Sequence, residues 1–112
     1  MEARDGFAAR PDARCQRGLL VRYSVGGAFD EERLARALQS AWGESLIEGS
    51  ERWGARSVHR LVRQFCFEVR IGEREGEISF LHRTLASPEQ RADQTRVFEG
   101  CLRAELAASR HP

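Results

Sequence analysis

The chain has 112 residues, the usual size of one domain, which excludes a second independent core. Hydrophobic residues make up 41% and charged residues 31% of the chain, within the range of globular proteins. The formal net charge is +1, so no global charge draws the protein toward nucleic acid or an anionic membrane. All 18 basic residues are arginine, a bias that a GC-rich coding sequence or a selection for guanidinium groups explains.

The three cysteines, Cys15, Cys66 and Cys101, are an odd number without paired spacing, which argues against a disulfide framework. The first 17 residues lack the apolar core of a signal peptide, and no stretch approaches 18 apolar residues. The sequence therefore predicts a cytoplasmic protein that does not enter a membrane.

The chain changes character at residue 18. Residues 1–17 carry one large apolar side chain, Phe7, and are expected to form a flexible tail, because they bury too little to offset their ordering entropy. Residues 18–112 are expected to form a single domain. It opens with a strand over 18–25, in which apolar residues alternate and two glycines follow.

Two helices carry their own start signals. Asp30 is a suitable N-cap for a helix over 31–42, which has one apolar stripe and ends before Gly43. Ser87 and Gln90 form a capping box, with a proline at the first helical position, for a helix from about 88 to 108.

An antiparallel hairpin is predicted between the two helices. A strand over 64–71 and an alternating segment over 77–85 flank a glycine-rich turn. A register that pairs Val69 with Ile78 places Phe65 opposite His82 and makes the apolar face continuous. Residues 43–57 suggest a loop, in which Leu46 and Ile47 fit either a short strand or one buried turn. Residues 57–63 fit a helix and a strand equally well.

These elements predict an α+β fold: a small two-layer sandwich with one antiparallel sheet and two helices on one face. The order strand, helix, hairpin, helix resembles that of ferredoxin-like and other small α+β sandwiches, without their final strand. The resemblance is architectural and carries no motif, so it implies no function.

His82 is the candidate for acid–base chemistry or ligand binding. In the predicted register it lies on the apolar face with Phe65 and Phe80, where a pocket would tune its pKa. The alternative is a core histidine with satisfied ring nitrogens. No metal-ligand spacing, phosphate loop or nucleophile–base pair is present, so we expect no metal and no cofactor, and the sequence favours a non-catalytic protein over an enzyme.

Two segments are candidates for partner binding. The first combines basic residues with an aromatic one, which is typical of surfaces that hold single-stranded nucleic acid or a protein. Its residues are Arg52, Trp53, Arg56, Arg60 and Arg63. If 56–65 is helical, the last three arginines form one basic stripe; the alternative is a solvated polar face.

The second segment is a small-residue stripe on the last helix, beside the stripe of Phe98, Leu102 and Leu106. It packs either within the fold or against a second copy of the chain or another protein. Its members are Val97, Cys101, Ala104 and Ala108.

The sequence thus favours a non-catalytic protein-interaction module that binds a protein partner or a second copy of itself as a homodimer. One alternative is a small nucleic-acid-binding regulator that uses the arginine-rich segment. Another is a small enzyme or ligand-binding domain with His82 at an apolar pocket.

Overall fold

The computed structural model describes residues 6–12, 18–43, 47–53 and 56–110. Six strands and two helices follow one another within these ranges. They are β1 (Phe7–Asp12), β2 (Gly18–Val25), α1 (Glu31–Trp42), β3 (Ile47–Trp53), β4 (Arg56–Arg63), β5 (Phe67–Arg74), β6 (Glu77–Arg83) and α2 (Pro88–Arg110).

All six strands form one antiparallel sheet in the order β1-β2-β6-β5-β4-β3. Both helices pack on the same face of the sheet, because the core combines buried side chains of α1 and α2 with inward-facing residues of the strands. The fold is therefore the two-layer α+β sandwich expected from the sequence. Its resemblance to ferredoxin-like sandwiches extends to this layering. Within the described ranges, neither helix is long and apolar enough to cross a membrane.

The helix boundaries follow from local capping chemistry, as predicted. The Asp30 carboxylate accepts a hydrogen bond from the Arg33 N–H, and α1 ends at Trp42, where the N–H of Gly43 donates to the Gln39 carbonyl. At the start of α2, the Gln90 N–H donates to the Ser87 hydroxyl, and the Ser87 N–H donates to the Gln90 side chain.

Aromatic rings from six elements form one continuous chain through the core. Neighbouring ring centroids are 4.3 to 5.7 Å apart, a distance typical of favourable aromatic pairs. In order of contact the rings are Phe7, Tyr23, Phe98, Phe80, Phe67 and Trp42. Because each ring comes from a different element, the chain ties both helices to four strands.

A buried carboxylate joins the two helices. Glu105 of α2 accepts hydrogen bonds from Arg33 Nε at 2.5 Å and Nη2 at 2.8 Å, and from the Asp30 N–H at 3.1 Å. Ser109 donates a further bond at 2.9 Å. The guanidinium of Arg33, followed by the Asp30 N–H, holds the pKa of Glu105 below its usual range against the effect of burial. The acidic side chain thus supplies α1 with a second cap.

The prediction of a flexible tail over residues 1–17 is wrong for residues 7–12. These residues form β1, which pairs with β2 from Phe7–Val25 to Asp12–Leu20. Phe7 is buried against Tyr23, and the Arg103 guanidinium lies over its ring. One aromatic anchor and a ladder of backbone hydrogen bonds therefore order a strand that is otherwise polar. Residues 1–5 and 13–17 lie outside the described part of the chain.

The hairpin exists, but the predicted register is wrong by two residues. Val69 pairs with Phe80 and Phe67 pairs with His82, and β5 begins at Phe67 because residues 63–66 form a turn. An irregularity between Ile71 and Arg74 absorbs the extra length near the hairpin end.

The segment that the sequence left open contains two strands. Residues 57–63, which fit a helix and a strand equally well, form a strand, since β4 pairs with β5 on one side and β3 on the other. The predicted loop over 43–57 contains β3, which pairs with β4 from Ile47–Val62 to Trp53–Arg56. Hydrogen bonding to a strand on each side therefore determines the conformation of β4, whose apolar spacing alone is ambiguous.

Gly72 permits the irregularity in β5. Its φ is +99°, and a Cβ at this position would lie 2.4 Å from the carbonyl oxygen of Ser57 on β4. A side chain cannot be accommodated unless the two strands move apart.

We therefore expect Gly72→Ala to lower the free energy of unfolding by at least about 2 kcal/mol, because it adds backbone strain and overpacking. Urea denaturation measures the change. Gly100→Ala on α2, where a Cβ meets nothing within 4 Å, is the control and should stabilise by about 0.5–1 kcal/mol. A Gly72→Ala variant as stable as the parent chain would contradict the packing described for β4 and β5.

Candidate functional site

His82 is a core residue. It lies on the helix-facing side of β6, is 2% exposed, and stacks on Phe80 with ring centroids 4.3 Å apart. Its Nδ1 lies 3.1 Å from the side-chain oxygen of Gln94, and its Nε2 lies 3.4 Å from the Thr95 hydroxyl. Both ring nitrogens thus face polar groups of α2. This is the core histidine with satisfied ring nitrogens that the sequence offered as the alternative to a catalytic role.

Burial lowers the pKa of His82, although the hydrogen bond with Gln94 opposes this shift; the nearby charge of Arg91 lowers it further. The neutral imidazole is therefore the form that the fold accommodates.

The predicted pocket of His82, Phe65 and Phe80 does not form. Phe80 contacts His82, but Phe65 lies in the turn before β5 and is 61% exposed. The residue opposite His82 on β5 is Phe67. A histidine that is 2% exposed offers no ring face to a ligand from solvent, which removes the basis for a site at this position.

The predicted basic stripe is also wrong. Because β4 is a strand, residues an odd number apart point to opposite faces. Arg60 lies on the face without helices, where it donates to Glu68. Arg63 faces the helices, where it donates to the Trp42 carbonyl and its guanidinium lies 5.7 Å from the Phe67 ring centre. Arg63 thus makes intramolecular contacts at the edge of the core.

The remaining members of this candidate are described as backbone only. Trp53 pairs with Arg56 across the end of the β3–β4 ladder, and Arg52 pairs with Ser57. The side chains of Arg52, Trp53 and Arg56 lie outside the described part of the structure.

The face without helices carries a row of arginines that the sequence does not reveal. In register, Arg10 lies beside Arg22, Arg22 beside Ser79, Ser79 beside Arg70, and Arg70 beside Arg60. The row crosses five strands, and a depression of about 370 Å³ opens over Ser79 at its centre.

Carboxylates contact three of the four arginines in this row. Arg22 pairs with Glu77 at 3.1 Å, and Glu68 binds Arg60 at 3.0 Å and Arg70 at 2.6 Å. Burial raises the pKa of Glu68, but the two guanidinium groups outweigh it and hold the pKa below its usual range. The row is thus a ladder of ion pairs that relieves repulsion between neighbouring arginines.

The second stripe of α2 is divided between the core and solvent. Val97 and Cys101 are half-buried and pack against the core cluster, whereas Ala104 and Ala108 are exposed. Burial raises the pKa of the Cys101 thiol, which favours its unreactive protonated form. Half of the stripe is therefore already used within the fold.

An exposed apolar patch lies at the end of the sheet where β5 begins and β6 ends. Phe65 is 61% exposed and Leu85 is 75% exposed. Together with Arg83 and Thr84 they line an open cavity of about 310 Å³. We call these four residues the Phe65–Leu85 patch.

Two hydrogen-bonded turns hold this patch in place. The Cys66 N–H donates to the Arg63 carbonyl at 3.0 Å, and the Ala86 N–H donates to the Arg83 carbonyl at 3.1 Å. The Arg83 N–H donates to the Cys66 carbonyl at 2.9 Å and joins the two turns. The patch is therefore presented by backbone that is bonded on both sides.

Phe65 has an unfavourable backbone conformation. Its φ is +67°, and among the described residues it is the only one other than glycine with a positive φ. It is the third residue of its turn, where such turns favour glycine or asparagine. Strained residues that persist at exposed positions are concentrated at functional sites.

Sequence reasoning missed this patch because Phe65 fits the alternation of the strand that follows it. A positive φ leaves no trace in the sequence when the residue is not glycine. The signal available in the sequence was the position of these apolar residues. Phe65 and Leu85 both lie at the ends of predicted strands, where a turn can expose them.

Comparison of the chain with known protein families, with curated proteins and with solved structures finds no match in any of the three. Among the described residues, no group of three His, Cys, Asp or Glu side chains lies close enough to hold a metal ion. Any assignment of function therefore depends on the geometry of the surfaces described above.

The buried histidine makes stability depend on pH. Because folding depresses the pKa of His82 below 6.5, the unfolded chain binds the proton more tightly, and stability is lost as the pH falls below that value. We expect the free energy of unfolding to be lower at pH 5.5 than at pH 7.5, above the range in which carboxylates titrate.

The double variant His82→Leu/Gln94→Leu removes the imidazole together with the amide that is hydrogen-bonded to it. It should reduce the change in the free energy of unfolding between the two pH values. Chemical denaturation at the two pH values provides the measurement. A slope that persists in the double variant would assign the effect to other groups.

The strain at Phe65 predicts an unusual order of stability. We expect Phe65→Gly to be more stable than Phe65→Ala by about 1 kcal/mol, because alanine retains the cost of a positive φ. At an ordinary position the order is reversed. Thermal and urea unfolding of the two variants test this, and an alanine variant equal to or better than glycine would show that the backbone is not strained.

Proposed function

We propose that this chain is a small non-catalytic protein-binding domain whose partner docks on the Phe65–Leu85 patch. The observation that supports it best is the exposure of Phe65 in a strained turn beside the exposed Leu85, over an open cavity. Contiguous exposed apolar surface is a common feature of protein interaction sites. The partner is another protein or a second copy of the chain, and a cytoplasmic location belongs to the same proposal.

The shape of the patch favours a macromolecular partner over a small ligand. A small-molecule site encloses most of its ligand, whereas four residues from two turns line this cavity. An aromatic side chain and an arginine are the residue types enriched at protein interfaces. A partner side chain could enter the cavity and be covered by the rest of the interface.

The two alternatives have less support. Nucleic-acid binding requires a surplus of positive charge on one face, but Arg60 and Arg63 lie on opposite faces and the arginine row is paired with carboxylates. An enzyme or ligand-binding domain centred on His82 requires access to a ring that the core encloses.

The proposal is tested with a phage-displayed library of random 12-residue peptides, selected on the immobilised chain. We expect enriched peptides to bind at least about tenfold more weakly to Phe65→Gly/Leu85→Ser, since about 1.4 kcal/mol of apolar contact is lost. Fluorescence anisotropy of labelled peptides measures the affinities. The glycine at position 65 relieves strain, so loss of folding does not explain loss of binding.

Gly100→Ala is the matched control, because it changes an exposed helix position that is not part of the patch. It should bind as the parent chain does. Peptides that bind the parent chain and the double variant equally would contradict the proposal, as would the absence of any enriched peptide.

A further inference from the structure

The charge around the Phe65–Leu85 patch identifies the chemistry of its partner. The two turns that build the patch, residues 63–66 and 83–86, contain two arginines and no acidic residue. Arg63 is engaged with the Trp42 carbonyl and the Phe67 ring. Arg83 is the cation that lines the cavity itself, beside Phe65 and Leu85.

Arg83 is half-buried, and its side chain makes no ion pair or hydrogen bond with another described residue. On the same face of the sheet, Arg22, Arg60 and Arg70 each contact a carboxylate. Arg83 therefore differs from these neighbours in having its charge available next to apolar surface. A guanidinium in this position binds a carboxylate through paired hydrogen bonds.

We infer that the partner is a protein segment that presents an apolar side chain close to an aspartate or glutamate. The apolar side chain would occupy the cavity between Phe65 and Leu85, and the carboxylate would bind Arg83. This inference rests on the proposed function and adds the partner's chemistry to it.

A second copy of the chain fits this patch less well. In a symmetric dimer whose two-fold axis passes through this patch, Arg83 of each protomer would approach Arg83 of the other. Two unpaired guanidinium groups beside apolar surface repel one another and lose solvent. Single-stranded nucleic acid also fits less well, because Leu85 is aliphatic and provides no ring for base stacking.

The test repeats the random 12-residue peptide selection in parallel on the parent chain and on Arg83→Glu. We expect the parent pool to combine an apolar residue with aspartate or glutamate. The Arg83→Glu pool should keep the apolar residue and replace the acid with lysine or arginine, because the charge at the patch is reversed. Pools with the same charge pattern would overturn the inference.

An affinity cycle on one selected peptide, amidated at its C-terminus, separates the carboxylate from other effects. Replacing the acidic residue with its amide should weaken binding to the parent chain about tenfold and leave binding to Arg83→Gln unchanged. Arg36→Gln, an exposed arginine of α1, is the matched control and should behave as the parent chain. Equal losses on the parent chain and on Arg83→Gln would overturn the assignment to Arg83.

The two proposals fail in different ways. Peptides that lose binding to Phe65→Gly/Leu85→Ser but show no acidic preference support the docking patch and overturn its charge. Light scattering that shows a dimer, disrupted by the same double variant, would replace the acidic partner with a second copy. Binding of a labelled oligothymidine that is lost in Arg83→Gln and at high salt would replace it with nucleic acid.

Discussion

The continuous chain of aromatic rings is the interaction on which the two layers depend. Its rings come from β1, β2, α2, β6, β5 and α1, in order of contact. Each contact therefore joins two different elements. Interiors are packed to nearly crystalline density, so moving one ring disturbs its contacts in both layers.

The ring chain also decides which apolar residues remain outside. Phe67 enters the core between Trp42 and Phe80, which makes residue 67 the first of its strand. Phe65, two residues earlier, would share that face if the strand continued. The turn at residues 63–66 instead places Phe65 at the surface. Its exposure therefore accompanies the burial of Phe67 in the core.

Local chemistry made some of the fold predictable. The caps at Asp30 and Ser87 involve residues three positions apart, so both helices could be located from short stretches of sequence. The strands depend on partners far along the chain. β4 has apolar residues at spacings that suit a helix, and only its pairing with β3 and β5 determines its form. β1 has a single apolar anchor, whose partners Tyr23 and Arg103 lie in distant segments.

The surfaces were harder to predict than the fold. The sequence predicts Arg60 on a helical stripe with Arg56 and Arg63, but its neighbours in space are Arg70 and Glu68. The register of the hairpin moved by two residues because Gly72 absorbs length that the alternation pattern does not show. Such a shift keeps each side chain on its face but changes every cross-strand neighbour, and sites are made of neighbours.

The order of the strands has a consequence for synthesis of the chain. β5 and β6 occupy the middle of the sheet although they are the last strands to be made, and β2 must wait for β6 to find its inner partner. Until residue 83 has left the ribosome, the β1–β2 pair and the β3–β4–β5 group are separate, because β6 is the strand that joins them. Pairing of β6 with β2 then closes a long loop and carries its entropic cost. The nascent domain is therefore expected to remain open to chaperones and proteases until β6 has emerged.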